Sequence, residues 1–363
     1  MSRSSSAVEG GDQLLVPISL ELSPIRNLLI IDVADDPIYR TLEPQVLEEP
    51  EGETVVLLAY RHDDHVELYA PPGSAVDASG YDGLGEGLLG IDHAPFEQAR
   101  FEVTDEGLQL DLALTGTNGR RFDLHIHEHL PRGRDRVPML APVGGSFDTP
   151  SFFPFLWLPG LSFVPVRGTE VDVRVGGQSR RVPRLPLPLG GRRCLMARYD
   201  PDVLVCQLNP DSVGVAPRIP VRPDHAPGAA DIDIVEVEDG FAIAGVQVAR
   251  GRHTCAVRLD PPLPDLTPLP VPTRRSGEVL LQADGTTELQ ARYELTRAED
   301  RVEIVIEGFG PWRTRLRRPL FALLFRLPLF RRWPTAYRWE ATVELGATSQ
   351  HAVHSRWSRS TEE

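Results

Sequence analysis

The densest group of chemically capable side chains in this sequence is the run Asp123-Leu124-His125-Ile126-His127-Glu128-His129. On a β-strand alternate side chains share a face, so Asp123, His125, His127 and His129 would point one way and Leu124 and Ile126 the other. Imidazoles two residues apart start about 6.8 Å apart at Cα and can converge on one metal ion. His125 and His129 start about 13 Å apart, too far for an easy share of an ion bound at about 2 Å. A metal site would therefore take two of the three histidines and a further ligand from a neighbouring strand. The same imidazoles beside a carboxylate could also move protons. The bland alternative is a polar, solvent-facing strand face behind which an apolar face packs.

The neighbouring strand can be registered from the sequence. Leu108–Leu114 and Phe122–Glu128 both alternate and flank the segment Gly116–Arg120. A three-residue loop, Thr117-Asn118-Gly119, puts Gly119 at the left-handed bulge position. That loop sets Leu114 opposite Phe122, Leu112 opposite Leu124 and Leu110 opposite Ile126, which makes one continuous apolar face. It also sets Asp111 opposite His125 and Gln109 opposite His127. Asp111, His125 and His127 are the candidate catalytic residues, and His125 and His127 the candidate metal ligands. No organic cofactor is called for.

Positioning these residues falls to β-structure. Period-two alternation recurs along the chain, while helical periodicity sustained over ten residues is almost absent, so the expected class is all-β. At 363 residues the chain is long for a single core, and two domains are expected. Asn209–Ala230 carries five prolines and marks the main boundary. The expected order is a tail 1–12, an N-terminal β-domain 13–208, a connector 209–231, a C-terminal β-domain 232–357 and a tail 358–363. Leu259–Pro272, with six prolines, reads as a second extended connector.

Two segments stand apart from the alternation. Ser151–Phe163 is aromatic and apolar but too broken by proline for a regular strand. Read as a loop, it either plugs the core or lines an apolar pocket through Phe152, Phe153, Phe155, Trp157 and Phe163. The stretch 311–339 holds eight arginines and no acidic residue; without it the net charge would fall from −14 to −22. Pro319 suits a helix start and Pro328 an end, which predicts a short helical insert over 319–327, apolar nearly all round. Arg318, Leu320, Phe321, Leu324, Phe325 and Trp333 are its candidate lid or membrane residues. Trp312, Tyr337 and Trp339 complete the pattern of an interfacial anchor. The alternatives are packing on its own barrel, an anionic membrane surface, or a protein partner.

Composition excludes several chemistries. All 38 basic residues are arginine, so a P-loop lysine, a pyridoxal-phosphate lysine and a Schiff-base amine are unavailable. Gly85-Glu86-Gly87-Leu88-Leu89-Gly90 matches a dinucleotide pattern but lacks the strand before and the helix after it. Gly144–Asp148 is no nucleophile elbow, because position 148 is not glycine. Cys194, Cys206 and Cys255 read as buried thiols in a reducing compartment. The net negative charge argues against nucleic acid as a partner. No signal-peptide pattern or spanning segment is visible, so a cytoplasmic location is expected, at most peripheral to the inner face of the membrane.

Two consecutive β-barrel-like domains in a chain of this length resemble the bacterial two-domain lipocalin-like proteins, a group that includes the AttH family and carotenoid 1,2-hydratases. The likeness spans about residues 13–357 and lies in length and strand pattern; the insert 311–339 departs from it. It implies two lipocalin-like barrels or sandwiches and a hydrophobic ligand such as a lipid or isoprenoid. The expected function is that of a binding or carrier protein for such a molecule, with docking at a membrane through 311–339. The alternative is an enzyme of hydratase, isomerase or cyclase type that uses the Asp111, His125 and His127 face, with or without a metal.

Overall fold

The structure is a computed structural model that describes residues 13–76, 78, 81, 87–105, 107–129, 136–142, 153–209, 213–215, 217–220, 231–238, 240–309, 336–346 and 351–360. These residues are nearly all β, in curled sheets. The first strands are β1 (Gln13–Leu15), β2 (Leu20–Leu22), β3 (Ile25–Asp32), β4 (Tyr39–Glu49), β5 (Gly52–Arg61), β6 (Val66–Ala70) and β7 (Leu88–His93). Then come β8 (Phe96–Thr104), β9 (Gly107–Thr115), β10 (Arg121–Glu128), β11 (Val137–Pro142), β12 (Phe153–Pro165), β13 (Thr169–Val175) and β14 (Gln178–Ser179). Next are β15 (Cys194–Asp200), β16 (Leu204–Leu208), β17 (Val213–Val215), β18 (Arg218–Pro220), β19 (Asp231–Val237) and β20 (Gly240–Arg250). The last are β21 (His253–Pro264), β22 (Thr273–Ala283), β23 (Thr286–Ala298), β24 (Arg301–Gly308), β25 (Ala336–Glu344) and β26 (Ala352–Ser360). The expected helix 319–327 lies outside the described residues.

Contacts divide the described chain into two compact units: 22–206, and 13–21 with 207–309 and 336–360. In the first unit a five-stranded sheet runs β14-β13-β10-β9-β8, and the larger sheet runs β16-β12-β15-β3-β4-β5-β6-β7, with β11 added on β12. One core joins the two sheets: Leu110, Leu112, Phe122 and Leu124 of the smaller meet Leu42 and Leu57 of the larger. A second core lies on the other face of the larger sheet, where Leu28, Leu47, Val56 and Leu58 pack with Phe163 and Met196. Val56 and Leu58 thus face one core, and Leu57 and Ala59 the other. Burial on both faces explains why β3 and β5 read as unbroken apolar runs, Leu28–Ile31 and Val55–Ala59.

The β9–β10 hairpin has the expected register, with Phe122 opposite Leu114, Leu124 opposite Leu112 and His125 opposite Asp111. Gly119 has φ 77°, a left-handed conformation, and the Asn118 side chain accepts from the Arg120 amide at 2.9 Å. Along β10 every second residue is buried and the rest are half-exposed, so the histidine face is the outer one.

Two proline-rich segments depart from expectation. Residues 153–165 are not a loop but the 13-residue strand β12. Its Pro159 falls where the pairing with β11 slips, between Leu158 opposite Met139 and Leu161 opposite Val137. Pro165 follows a second slip against β15. Proline costs little at such irregularities, where the ladder has no use for its missing N–H. Likewise β21 continues through Pro261 and Pro262 to Pro264, past a register shift against β20.

The second unit is a nine-stranded sheet in the order β17-β26-β25-β24-β23-β22-β21-β20-β19, so from β19 onward each strand pairs with its neighbour in sequence. It also takes in β1, which pairs antiparallel with β18. Gly277 of β22 is required by close approach: a Cβ there would lie 2.5 Å from the Tyr293 ring and 2.6 Å from the Asp260 carbonyl oxygen.

Candidate functional site

On the outer face of the five-stranded sheet, the hairpin register brings Asp111 and both histidines together. His125 Nδ1 lies 2.7 Å from Asp111 Oδ1, and His127 Nε2 lies 2.9 Å from Asp111 Oδ2. The imidazole centroids are 4.0 Å apart with the planes tilted by 41°. One ligand atom from each of the three residues falls within 4.8 Å of the others. The side chains are half-buried, at 23% exposure for Asp111, 39% for His125 and 20% for His127. Partial burial pushes the Asp111 carboxyl up, but the two imidazole hydrogen bonds and the attraction of both rings outweigh it, and the net shift is downward.

Not every residue of the histidine run joins this group. Asp123 is drawn to Arg121, at 2.7 Å, and Arg121 also holds Glu97. His129 Nε2 lies 3.3 Å from Glu170 Oε1, and His125 Nε2 lies 3.8 Å from Glu170 Oε2. Glu170, on β13 opposite His127, is a member that sequence reasoning missed. It stands one residue before the alternating segment Val171–Val175.

The aromatic segment is packed into the fold. Phe155 is fully buried, and Trp157 and Phe163 are 6% and 9% exposed. Phe163 sits in the core on the inner face of the larger sheet. Phe152 lies outside the described residues, as does the side chain of Phe153. Arg318, Leu320, Phe321, Leu324, Phe325 and Trp333 also lie outside them. Tyr337 and Trp339 cannot serve as interfacial anchors, because they are core residues of the second unit, 3% and 1% exposed, and both rings pack against Trp357, the first edge-on and the second tilted. They belong to β25, whose alternation turns them inward beside Ala341 and Val343.

A second group, unread in the sequence, occupies the inner face of the larger sheet. The period of β4 turns Leu42 and Val46 toward one core and Leu47 toward the other, with Glu43 and Gln45 on the Leu47 side. Gln45 Nε2 donates to Glu43 Oε1 at 2.7 Å, and the buried Tyr81 hydroxyl donates to Gln45 Oε1 at 3.0 Å. Tyr60, which packs against the same core, hydrogen-bonds Glu43. Nearby, Arg198 pairs with Asp32 at 3.2 Å, and Thr41 donates to Asp32. Burial pushes the Glu43 carboxyl up; the Gln45 bond, the Arg198 charge and the Tyr60 bond pull it back only in part. Burial, then the nearby carboxylate, lifts the Tyr60 phenol well above its usual range, and the Tyr81 phenol rises for the same two reasons. Glu43 and Tyr60 nonetheless keep some accessible surface.

No family model matches this chain, no curated protein matches it, and no solved structure matches it. No helix among the described residues is long and apolar enough to cross a membrane.

Proposed function

We propose that the first unit binds a hydrophobic small molecule bearing a hydroxyl or carbonyl oxygen, on the inner face of its larger sheet. The observation that carries this reading is the polar string Tyr81–Gln45–Glu43–Tyr60 inside an otherwise apolar core, with accessible surface left at Glu43 and Tyr60. A carboxyl and phenols are costly to bury, and a few convergent polar groups on apolar walls are what orients a small ligand. Leu47, Leu58, Phe163 and Met196 supply the walls. The Glu43 carboxyl can accept from a ligand hydroxyl, and the Tyr60 hydroxyl can accept or donate beside it. A lipid or isoprenoid alcohol has this chemistry, as the resemblance to lipocalin-like proteins implies. The basic, apolar stretch that begins at residue 311 belongs to the same reading as a dock on an anionic membrane. Making Leu323, Leu324 and Phe325 polar should then abolish binding to anionic vesicles.

The test is fluorescence titration of the full chain with retinol, an apolar alcohol. Saturable enhancement is expected, weakened in Glu43→Leu and lost in Leu58→Arg, provided both variants remain folded. A folded wild-type protein without saturable enhancement would sink the reading. One observation favours a second reading, catalysis on the same molecule: a raised carboxyl beside a phenol in an apolar setting is the pairing acid–base chemistry uses. Chemical change in a bound ligand, lost in Glu43→Gln without loss of binding, would distinguish it.

A further inference from the structure

We infer that Asp111, His125 and His127 form a site for one divalent transition-metal ion of the zinc class on the outer face of the five-stranded sheet. The inference stands apart from the ligand reading above, since it uses different residues and a different face.

Convergence is the first reason. Ligand atoms around a tetrahedral ion at about 2.0–2.1 Å lie about 3.3 Å from one another. The three side chains already bring one ligand atom each to within 4.8 Å of the others, so small rotations suffice. The platform is firm: β10 is paired on both sides, to β9 and to β13, and its buried face is locked into the core. Sites carried on paired strands hold their geometry better than sites on loops.

Donor type is the second. Two imidazoles and one carboxylate suit zinc, copper, nickel or cobalt, whereas calcium and magnesium require shells built from oxygen. Three protein ligands on a half-exposed face leave a position for water or an exchanging ligand.

Tautomer control is the third. Metal-bound imidazoles commonly offer their remaining N–H to a carboxylate. To ligate through Nδ1, a neutral His125 must carry its proton on Nε2, and that nitrogen faces Glu170 at 3.8 Å. Glu170 is therefore a nearby negative charge that favours a proton on Nε2 once the ion holds Nδ1. His127 ligates through Nε2, the atom that already faces Asp111. Without metal, the contacts to Asp111 put a proton on Nδ1 of His125 and on Nε2 of His127; metal entry displaces both, and each ring takes up a proton on its other nitrogen. His129 is left out because it turns to the other oxygen of Glu170.

The experiment is calorimetric titration of zinc chloride into the chelator-stripped full chain, paired with visible absorption of the cobalt form. One equivalent of zinc is expected, with nitrogen and oxygen ligation in the cobalt spectrum. Asp111→Asn, His125→Gln and His127→Gln should each weaken zinc by more than about tenfold, while the melting temperature of the metal-free protein falls by no more than a few degrees. Glu170→Gln should weaken it less, and His129→Gln should leave it unchanged. Absence of zinc uptake by the wild-type chain would overturn the inference. So would uptake that the three ligand variants leave intact, or a fall in melting temperature alone.

Discussion

Asp111 and Glu43 are both strand carboxylates of the first unit, and each is hydrogen-bonded by two side chains, yet their acidities move in opposite directions. Asp111 stands on an outer face, with partners that can themselves carry positive charge. Glu43 stands inside, with an amide and a phenol as partners and Arg198 as the nearby cation. For Asp111 the partners outweigh the loss of water; for Glu43 they do not. Hydrogen-bond count does not decide the sign; the surrounding medium and the charge of the partners do. The outer carboxyl holds its negative charge more readily and is fit to meet a cation, while the inner one holds it less readily and is fit to meet a neutral polar atom.

The comparison breaks most completely if the two faces lose their separation. Phe122 lies between the sheets, with ring centroids 5.5 Å from Tyr39 and 5.1 Å from Tyr69. Phe122→Ala should cost about 3–5 kcal/mol in urea unfolding and should weaken zinc binding together with retinol binding. A loss below about 1 kcal/mol would show that the sheets do not depend on this contact.

A smaller effect sharpens the inner half. The folded-state pKa of Glu43 is raised, so its contribution to stability is present below the unfolded value of about 4.3 and is lost as pH rises through the folded value. Glu43→Gln should therefore be more stable than wild type at neutral pH, by on the order of 1 kcal/mol, with the advantage shrinking toward pH 4. Melting temperatures across that range provide the check; a constant difference would remove the assignment.

The outer half should show the reverse slope with less amplitude. The folded pKa of Asp111 is lowered, so its contribution holds above the unfolded value of about 3.9 and is lost as pH falls through the folded value. Asp111→Asn in the metal-free protein should lose under about 1 kcal/mol at pH 7, since the pair is half-exposed. The loss should vanish in strong acid, as denaturant midpoints at several pH values would show.

The outer group was legible because its strands alternate. Leu108–Leu114 and Phe122–Glu128 advertise one buried face and a tight loop, and the register places Asp111 beside His125. Glu170 was not legible, since it enters from a strand that is distant in sequence and pairs with β10 on its other side. The inner group was hidden for a different reason. Pro44 and the charged residues of β4 hide its strand character, and a sheet buried on both faces has no polar side to give the pattern contrast. Glu43 therefore looks like a surface residue until both cores are seen. The same effect hid β12, where Pro159 and Pro165 sit at pairing slips that the sequence does not mark. In the second unit the hairpins from β19 to β21 and from β23 to β25 were readable, whereas the polar starts of β22 and the Arg/Ser-rich β26 were not.

The pairing of β1 with β18 sets an order of events as the chain leaves the ribosome. Residues 13–15 are made about two hundred residues before their partners, 218–220. In the meantime every strand from β3 to β16 has been delivered, and the first unit can close while β1 still waits. The inserted unit can thus close before the unit that brackets it in sequence, and a stalled or truncated product would carry β1 as an unpaired edge open to a wrong partner.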